Sequence, residues 1–294
     1  MDHQLFTGVC TALVTPFTNG QVNYGMLEQL LEHQLDAGIT TVVLCGTTGE
    51  SPTLTDQEKV KIFRHCKNYV NDRMRIICGT GSNNTSHAVE LSIAAMEAGA
   101  DALLIVSPYY NKGNLNGQYQ HFLSIAQKVK IPIVLYNVPG RTGVDMPVPL
   151  YEQLSQVPNI VGVKEASTDI AKVLKIRATC GSQFHIWSGN DDLAVAAMAL
   201  GAKGVISVLS NVVPKETKCM TDAALGGDFA TASTLQCNLL PLIDALFKEV
   251  NPIPIKAAMK MVGYDCGECR LPLGVATEKT KELLHMILKK ESQF

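Results

Sequence analysis

Charged residues are scarce in this chain and never accumulate with one sign. Asp, Glu, Lys and Arg make up 18% of the 294 residues, and the formal net charge is -2. A nucleic-acid or membrane surface would need a basic cluster, and a spanning helix would need about 18 consecutive apolar residues. The sequence has neither. Because residues 1–6 also lack a basic stretch followed by an apolar one, we expect a cytoplasmic globular protein with no nucleic-acid or membrane partner.

Metal-binding patterns are absent as well. None of the seven histidines lies two or four positions from another, and the nine cysteines are scattered through apolar segments. Such cysteines are typical of buried, reduced thiols. Cys266 and Cys269 have the spacing of a metal or redox pair, but no second pair or nearby histidine completes a zinc site. The sequence therefore predicts no metal centre and gives little support to a redox role for this pair.

Short apolar runs rich in β-branched residues recur along the chain, each followed by a segment with helical periodicity. Most are apolar nearly throughout, which is typical of strands buried on both faces of a parallel sheet. An open doubly wound sheet would give similar local signals, but eight units within about 210 residues favour an α/β fold with a (β/α)8 TIM barrel. The predicted strands are Val9–Thr15, Thr41–Cys45, Arg75–Cys78, Ala102–Ser107, Ile133–Tyr136, Ile160–Lys164, His185–Ser188 and Gly204–Ser207.

Helical patterns lie between these strands and dominate the end of the chain. Thr55 with Glu58 three residues later forms a capping-box pattern, which predicts a helix start. We expect a catalytic barrel over residues 1–223 and a C-terminal helical region over residues 224–294. The other clear helical patterns cover Tyr24–Ala37, Ala223–Val250 and Thr277–Lys290.

Polar residues cluster where the predicted strands end, which is where the active sites of such barrels are built. Lys164 ends the sixth strand, inside the barrel, where a lysine is rarely found without a function. Desolvation there would favour the neutral amine, which can attack a ketone carbonyl. The alternative is a structural ion pair, for example with Glu165.

Two neighbouring features favour the catalytic interpretation of Lys164. Tyr136 ends the adjacent strand, where its phenol could shuttle a proton, although a tyrosine there could also simply pack. Thr47 and Thr48 lie in a Gly-flanked turn that could direct N–H and hydroxyl groups at a carboxylate, although such turns are more often only tight loops. Together the three features indicate a 2-keto acid bound as an imine.

The sequence resembles the dihydrodipicolinate synthase family, within the pyruvate-dependent aldolase and lyase superfamily. The resemblance runs over nearly the whole chain and implies a metal-independent and cofactor-independent enzyme. It also implies a homotetramer built from two tight dimers. The motifs that carry it are GTTGES at 46–51, SPYYN at 107–111, YNVPGRTG at 136–143, VKEA at 163–166 and NPIP at 251–254.

The resemblance implies a role for each matching residue. Lys164 would be the Schiff-base lysine, and Tyr136, Thr47 and Tyr110 would form a proton relay, with Tyr110 reaching into the partner subunit's site. Thr48, Gly189 and Ile206 would bind pyruvate. Arg141 would hold the carboxylate of the second substrate.

The implied reaction condenses pyruvate with L-aspartate 4-semialdehyde to 4-hydroxy-tetrahydrodipicolinate, on the route to diaminopimelate and lysine. Related sugar-acid aldolases, such as N-acetylneuraminate lyase or 2-keto-3-deoxy-gluconate aldolase, are the alternative enzymes. Arg141 favours the first reaction, because a guanidinium binds a carboxylate that a polyol aldehyde lacks. A catalytically silent barrel is a further alternative, which the joint presence of Lys164, Tyr136, Thr47 and Arg141 disfavours.

Family members often bind lysine as a feedback inhibitor at the tight-dimer interface. This chain has His87 where the lysine-sensitive pattern has a glutamate, and Lys59 where it often has a histidine. We therefore expect weak or absent inhibition by lysine, unless Asp56 replaces the missing carboxylate. The six matching positions are Ser51, Asp56, Lys59, Asn83, His87 and Tyr109.

Overall fold

Eight short strands close into a parallel barrel in the computed structural model, which describes residues 5–291. Each barrel strand pairs with its neighbours in the sequence, and the first closes against the last, with Gly8 opposite Gly204. The predicted (β/α)8 barrel is therefore confirmed. Its strands are β1 (Gly8–Ala12), β4 (Thr41–Leu44), β5 (Arg75–Gly79), β6 (Ala102–Val106), β7 (Ile133–Asn137), β8 (Ile160–Glu165), β9 (His185–Ser188) and β10 (Gly204–Ser207); β2 (Phe17–Thr18) and β3 (Gln21–Val22) form a separate hairpin.

The first strand is shorter than the sequence predicts. It was expected to continue to Thr15 but ends at Ala12. The Val14 N–H donates to the side-chain oxygen of Asn211 at 3.1 Å instead of to a neighbouring strand. A side chain thus takes over the pairing, and the chain turns away into the β2–β3 hairpin, which the periodicity did not predict.

The helices pack around the barrel and continue beyond its last strand. The capping box predicted at Thr55 is present, with reciprocal bonds between Thr55 and Glu58 at the start of the second helix. The helices are α1 (Tyr24–Asp36), α2 (Asp56–Val70), α3 (Thr85–Glu97), α4 (Leu115–Ala126), α5 (Pro139–Thr142), α6 (Val148–Leu154), α7 (Ala171–Cys180), α8 (Ala194–Ala199), α9 (Pro214–Leu225), α10 (Phe229–Leu246), α11 (Ile253–Met261) and α12 (Glu278–Glu291).

The predicted helix Ala223–Val250 is wrong at both ends, because its first residues belong to α9 and because α10 ends at Leu246. Gly226 and Gly227 separate two helices, and Gly227 adopts a left-handed φ of +83°, which ends a helix at little cost for glycine. Asp228 then caps α10 by accepting from the N–H of Thr231 at 3.0 Å. The break lies at the predicted boundary between residues 223 and 224 to within a few positions, but the division into two domains stays a prediction.

Two apolar cores hold the barrel together. One lies between the strands and the surrounding helices, and the other fills the barrel interior. At the floor of the interior, the ring of Phe6 stacks on Trp187 at a centroid distance of 4.9 Å. Gly162 leaves room for this indole, because a Cβ there would lie 2.9 Å from the Trp187 ring. Apolar side chains therefore fill the floor of the barrel. In the described part of the chain, no helix is long and apolar enough to cross a membrane.

We predict that Gly204→Ala disrupts the seam where β10 meets β1. A Cβ at this position would overlap the carbonyl oxygen of Gly8. The free energy of unfolding, measured in urea, should fall by about 3 kcal/mol or more, since backbone at a barrel seam cannot move aside. Gly227→Ala is the control, because its φ is also positive but no atom lies within 4 Å of the added Cβ. Equal losses in the two variants would contradict a steric role for Gly204.

Candidate active site

Lys164 lies near the end of β8, paired with Tyr136 on β7 and Trp187 on β9. The residue is only 5% exposed, and its Nζ lies 4.6 Å from the centroid of the Tyr136 ring. No carboxylate of residues 5–289, whose side chains are described, lies within 4 Å of Nζ. The structure thus places an amine without a carboxylate partner against a phenol, at the upper end of a closed barrel.

Glu165 does not pair with Lys164, because adjacent strand residues point to opposite faces. Its carboxylate accepts from Asn137 Nδ2 at 2.9 Å, from the Tyr151 hydroxyl at 3.0 Å and from the Ser167 N–H at 2.8 Å. Burial, and then the charge of Glu165, raise the pKa of Tyr151 well above its usual range. The ion-pair alternative for Lys164 with Glu165 is therefore wrong.

Two further residues of the predicted pyruvate pocket border Lys164. A Cβ at Gly189 would lie 3.0 Å from Cε of Lys164, so only glycine leaves space along this side chain. Ile206 on β10 is fully buried in the interior core, which also contains Tyr136. Asp191, likewise buried, accepts at 3.0 Å from the N–H groups of Val208 and Leu209, and burial raises its pKa. Gly189 thus leaves room beside the lysine stem, and the charge of Lys164 partly offsets the effect of burial on the pKa of Asp191.

The Thr47–Thr48 turn follows β4 and is held on both sides. The Ser51 N–H donates to the carbonyl of Gly46 at 3.2 Å, and the Thr15 hydroxyl donates to the carbonyl of Gly49 at 2.8 Å. Thr48 is buried and its hydroxyl oxygen accepts from Asn251 Nδ2 at 3.0 Å, whereas Thr47 is half-buried. The turn is thus fixed by residues far away in the sequence.

Arg141 projects from α5, the short helix that follows β7. Its guanidinium donates to the backbone carbonyl of Asn251 at 2.9 Å. Asn251 therefore contacts both Arg141 and Thr48, the two residues expected to hold the substrates' carboxylates. The side-chain oxygen of Asn251 is buried and has no partner within the described residues.

One cavity of about 730 Å³ joins the predicted catalytic and regulatory residues. Thr47, Tyr136 and Arg141 line it, together with all six positions that the resemblance assigns to lysine binding. The two predicted sites are therefore adjacent within one subunit. The six positions are Ser51, Asp56, Lys59, Asn83, His87 and Tyr109.

Asp56 is already engaged by Lys59 and His87. Its Oδ2 lies 2.8 Å from His87 Nε2, and its Oδ1 lies 3.8 Å from Nζ of Lys59. The other ring nitrogen of His87 lies 3.0 Å from the Ser82 hydroxyl. The Asp56 carboxylate is therefore committed within the protein and is poorly placed to replace a missing glutamate.

Lys164 and Tyr110, unlike Tyr136, do not line this cavity. Tyr110 is 87% exposed and adopts a left-handed φ of +70°, while its neighbour Tyr109 lines the cavity. A bulky residue in this conformation is uncommon and needs support from its surroundings. Its N–H donates to the carbonyl of Thr142 at 3.3 Å, which fixes the backbone and leaves the ring directed outward.

Sequence reasoning missed the role of three buried polar residues. Glu50, Asn251 and Lys256 are each at most 4% exposed, and they link the barrel mouth to the C-terminal helices. A signal was present for Lys256, since it is an isolated charge within the apolar segment Ile253–Ala258. In the described part of the chain, no group of three His, Cys, Asp or Glu side chains could hold a metal ion.

The sequence and the fold match known proteins over nearly the whole chain. The model of the dihydrodipicolinate synthetase family matches residues 5–291. The 4-hydroxy-tetrahydrodipicolinate synthase of Acetivibrio thermocellus is 48% identical over 289 residues, which cover 98% of each chain.

Two solved structures are also similar to this chain. The chloride-inhibited dihydrodipicolinate synthase from Acinetobacter baumannii, complexed with pyruvate, is 40% identical with a TM-score of 0.95, covering 97% of this chain and 99% of the other. A monomeric dihydrodipicolinate synthase variant is 39% identical with a TM-score of 0.96, covering 99% of each chain.

Proposed function

Because the chain belongs to the dihydrodipicolinate synthetase family, we propose that it condenses pyruvate with L-aspartate 4-semialdehyde to 4-hydroxy-tetrahydrodipicolinate through a Schiff base on Lys164. The observation that carries the chemistry is a buried lysine with a tyrosine ring 4.6 Å from its amine and, among the described side chains, no carboxylate within 4 Å of it. Relatives at 42–48% identity over nearly the full length support the choice of reaction.

The first half of the reaction loads pyruvate onto the enzyme. The neutral Lys164 amine attacks C2 of pyruvate and forms the new C–N bond, and the ketone oxygen leaves as water. Tyr136, whose ring lies against the amine, supplies a proton to the departing oxygen. Thr48 and the backbone of its turn hold the pyruvate carboxylate. The methyl group then loses a proton, and the imine becomes a nucleophilic enamine.

The second half joins the two substrates and frees the enzyme. The enamine carbon bonds to the aldehyde carbon of the semialdehyde, whose own carboxylate is held by Arg141. The semialdehyde's amine then attacks the imine carbon, so that the bond to Lys164 breaks and the ring closes. The protonated imine is the electron sink throughout, and the lysine returns to its starting state.

Arg141 also argues against the related sugar-acid aldolases. It lines the cavity with its guanidinium anchored to Asn251, so a cation faces the space next to Tyr136. A carboxylate-bearing aldehyde suits this cation better than an uncharged polyol chain. The geometry therefore favours aspartate semialdehyde as the acceptor.

We infer a cytoplasmic homotetramer built from two tight dimers, in which the two subunits of each tight dimer complete each other's sites. The support is Tyr110, an exposed aromatic side chain held outward from the loop beside the cavity mouth. A tyrosine so placed can reach a second subunit more readily than its own Lys164. In a partner's site its hydroxyl would join Thr47 and Tyr136 in the proton relay.

Borohydride reduction in the presence of pyruvate tests the proposed function directly. A reduced three-carbon adduct should appear on Lys164, because only the imine is reducible, and peptide mass mapping will locate it. The buried lysines Lys59, Lys172 and Lys256 are internal controls, since each has a carboxylate partner. Labelling at one of these, or at none, would contradict the mechanism.

Arg141→Ala should raise the KM for aspartate semialdehyde about tenfold or more, while the KM for pyruvate changes by less than about threefold. The variant loses a charge-assisted contact with one substrate only. Arg141→Lys keeps the charge without the paired donors and should give an intermediate KM. Steady-state kinetics with each substrate varied in turn would measure both constants. Equal increases for the two substrates would count against this role of Arg141.

Lysine should inhibit weakly or not at all. The ammonium of the ligand would meet Lys59 and His87, and the nearby Asp56 is already paired with both. Initial rates at saturating pyruvate, measured over a range of lysine concentrations, would test this. Half-inhibition below about 1 mM, equivalent to more than about 4 kcal/mol of binding, would show that Asp56 still serves the ligand.

A further inference from the structure

Glu50 is a fully buried carboxylate at the end of the turn that carries Thr47 and Thr48. Its side chain is 0% exposed, and its backbone has a left-handed φ of +56°. Such a conformation is unfavourable for a residue other than glycine and persists only when the surrounding structure holds it. The contacts of the Glu50 carboxylate therefore help to hold the turn in this conformation.

Two residues near the end of the chain contact this carboxylate. Nζ of Lys256, on α11, lies 2.5 Å from Oε1, and the N–H of Arg270 donates to Oε2 at 2.9 Å. Burial and the charge of Glu50 raise the pKa of the nearby Cys269 thiol to about 12, so that it stays protonated. Burial likewise raises the pKa of the Cys266 thiol to about 12.

Additional contacts fasten the same segment to the barrel. The ring of Phe17 lies under two cations, 4.2 Å from Lys256 Nζ and 4.3 Å from Cζ of Arg270. The guanidinium of Arg270 also forms an ion pair with Glu58 at 2.6 Å. Arg270 holds the pKa of Glu58 down at about 2, so this pair stays ionised at neutral pH. These contacts therefore hold the segment rigidly against Glu50.

The same C-terminal helices also reach the substrate-binding residues. Asn251, at the turn before α11, donates to Thr48 and accepts from Arg141. Lys256 lies within α11 itself. The turn and α11 are consequently joined at two points, through Thr48 and through Glu50.

We propose that Glu50 and Lys256 form a positioning pair that sets the Thr47–Thr48 turn for pyruvate binding. The proposal rests on the proposed function, in which this turn holds the pyruvate carboxylate. A buried ion pair is not in itself a strong source of stability, because desolvation offsets much of the attraction. It does fix the relative placement of the two elements that carry it. The reaction needs such placement, since a displacement of about 1 Å can reduce the rate by about a hundredfold.

The test compares two lysines on the same helix. Lys256→Met removes the buried ammonium and keeps the length of the side chain. Lys260→Met is the matched control, because Lys260 is 69% exposed and pairs only with Asp265 at the surface. Lys256→Met should raise the KM for pyruvate about tenfold or more, and Lys260→Met should change it by less than about twofold. Thermal melting would be recorded for each protein, with kinetics measured well below the transition.

The double variant Glu50→Gln with Lys256→Met separates positioning from stability. Removing one partner leaves a buried, unpaired charge and destabilises the fold, whereas removing both relieves that penalty. We expect the double variant to recover thermal stability while its pyruvate KM stays raised, because the charged connection is still missing. The double variant also tests the proposal if Lys256→Met alone does not fold.

Recovery of the pyruvate KM together with thermal stability would overturn the proposal and leave the pair purely structural. An unchanged KM in Lys256→Met would overturn it too. Borohydride labelling of the wild-type protein is measured in parallel. If the wild type is labelled and the variants have a normal pyruvate KM, only this inference fails. If the wild type is not labelled, the proposed function fails as well.

Discussion

The chemistry of this protein depends on a buried amine that has no carboxylate within 4 Å among the described side chains. Lys164 lies in the barrel interior against the ring of Tyr136, and Glu165 is kept away from it. The strand geometry enforces the separation, because Lys164 and Glu165 point to opposite faces of β8. The Glu165 carboxylate therefore points away from the barrel interior, where Asn137 and Tyr151 donate hydrogen bonds to it. The same alternation thus supplies a reactive lysine and a satisfied acid.

The mouth of the barrel obeys a second constraint. Its turns carry polar groups that must keep fixed directions, yet turns alone are seldom rigid. Here the region after the barrel provides the rigidity, through Lys256 on α11 and through Asn251 and Arg270 in the adjoining loops. This region therefore contributes to the site even though it does not carry the residue that bonds to substrate.

The parts of the fold and site that could be predicted are those set by local sequence. Apolar runs locate the strands, and the end of a strand locates Lys164 and Tyr136, because loops on one edge of a barrel must converge. The pairing of Glu50 with Lys256 depends on residues far apart in the chain, and no local pattern reports it. The outward position of Tyr110 depends on a single backbone angle. Gly226 and Gly227 indicate the break between α9 and α10, but the apolar periodicity on both sides obscured this signal.

The chain has a single tryptophan, which lies in the barrel interior, so that its fluorescence reports on that region. Trp187 is fully buried, stacked on Phe6 and paired across the sheet with Lys164. Its fluorescence therefore has one origin, the apolar floor of the barrel. Loss of the fold and formation of a charged imine on the neighbouring strand both change the surroundings of this indole. This emission is thus free of background from other indoles.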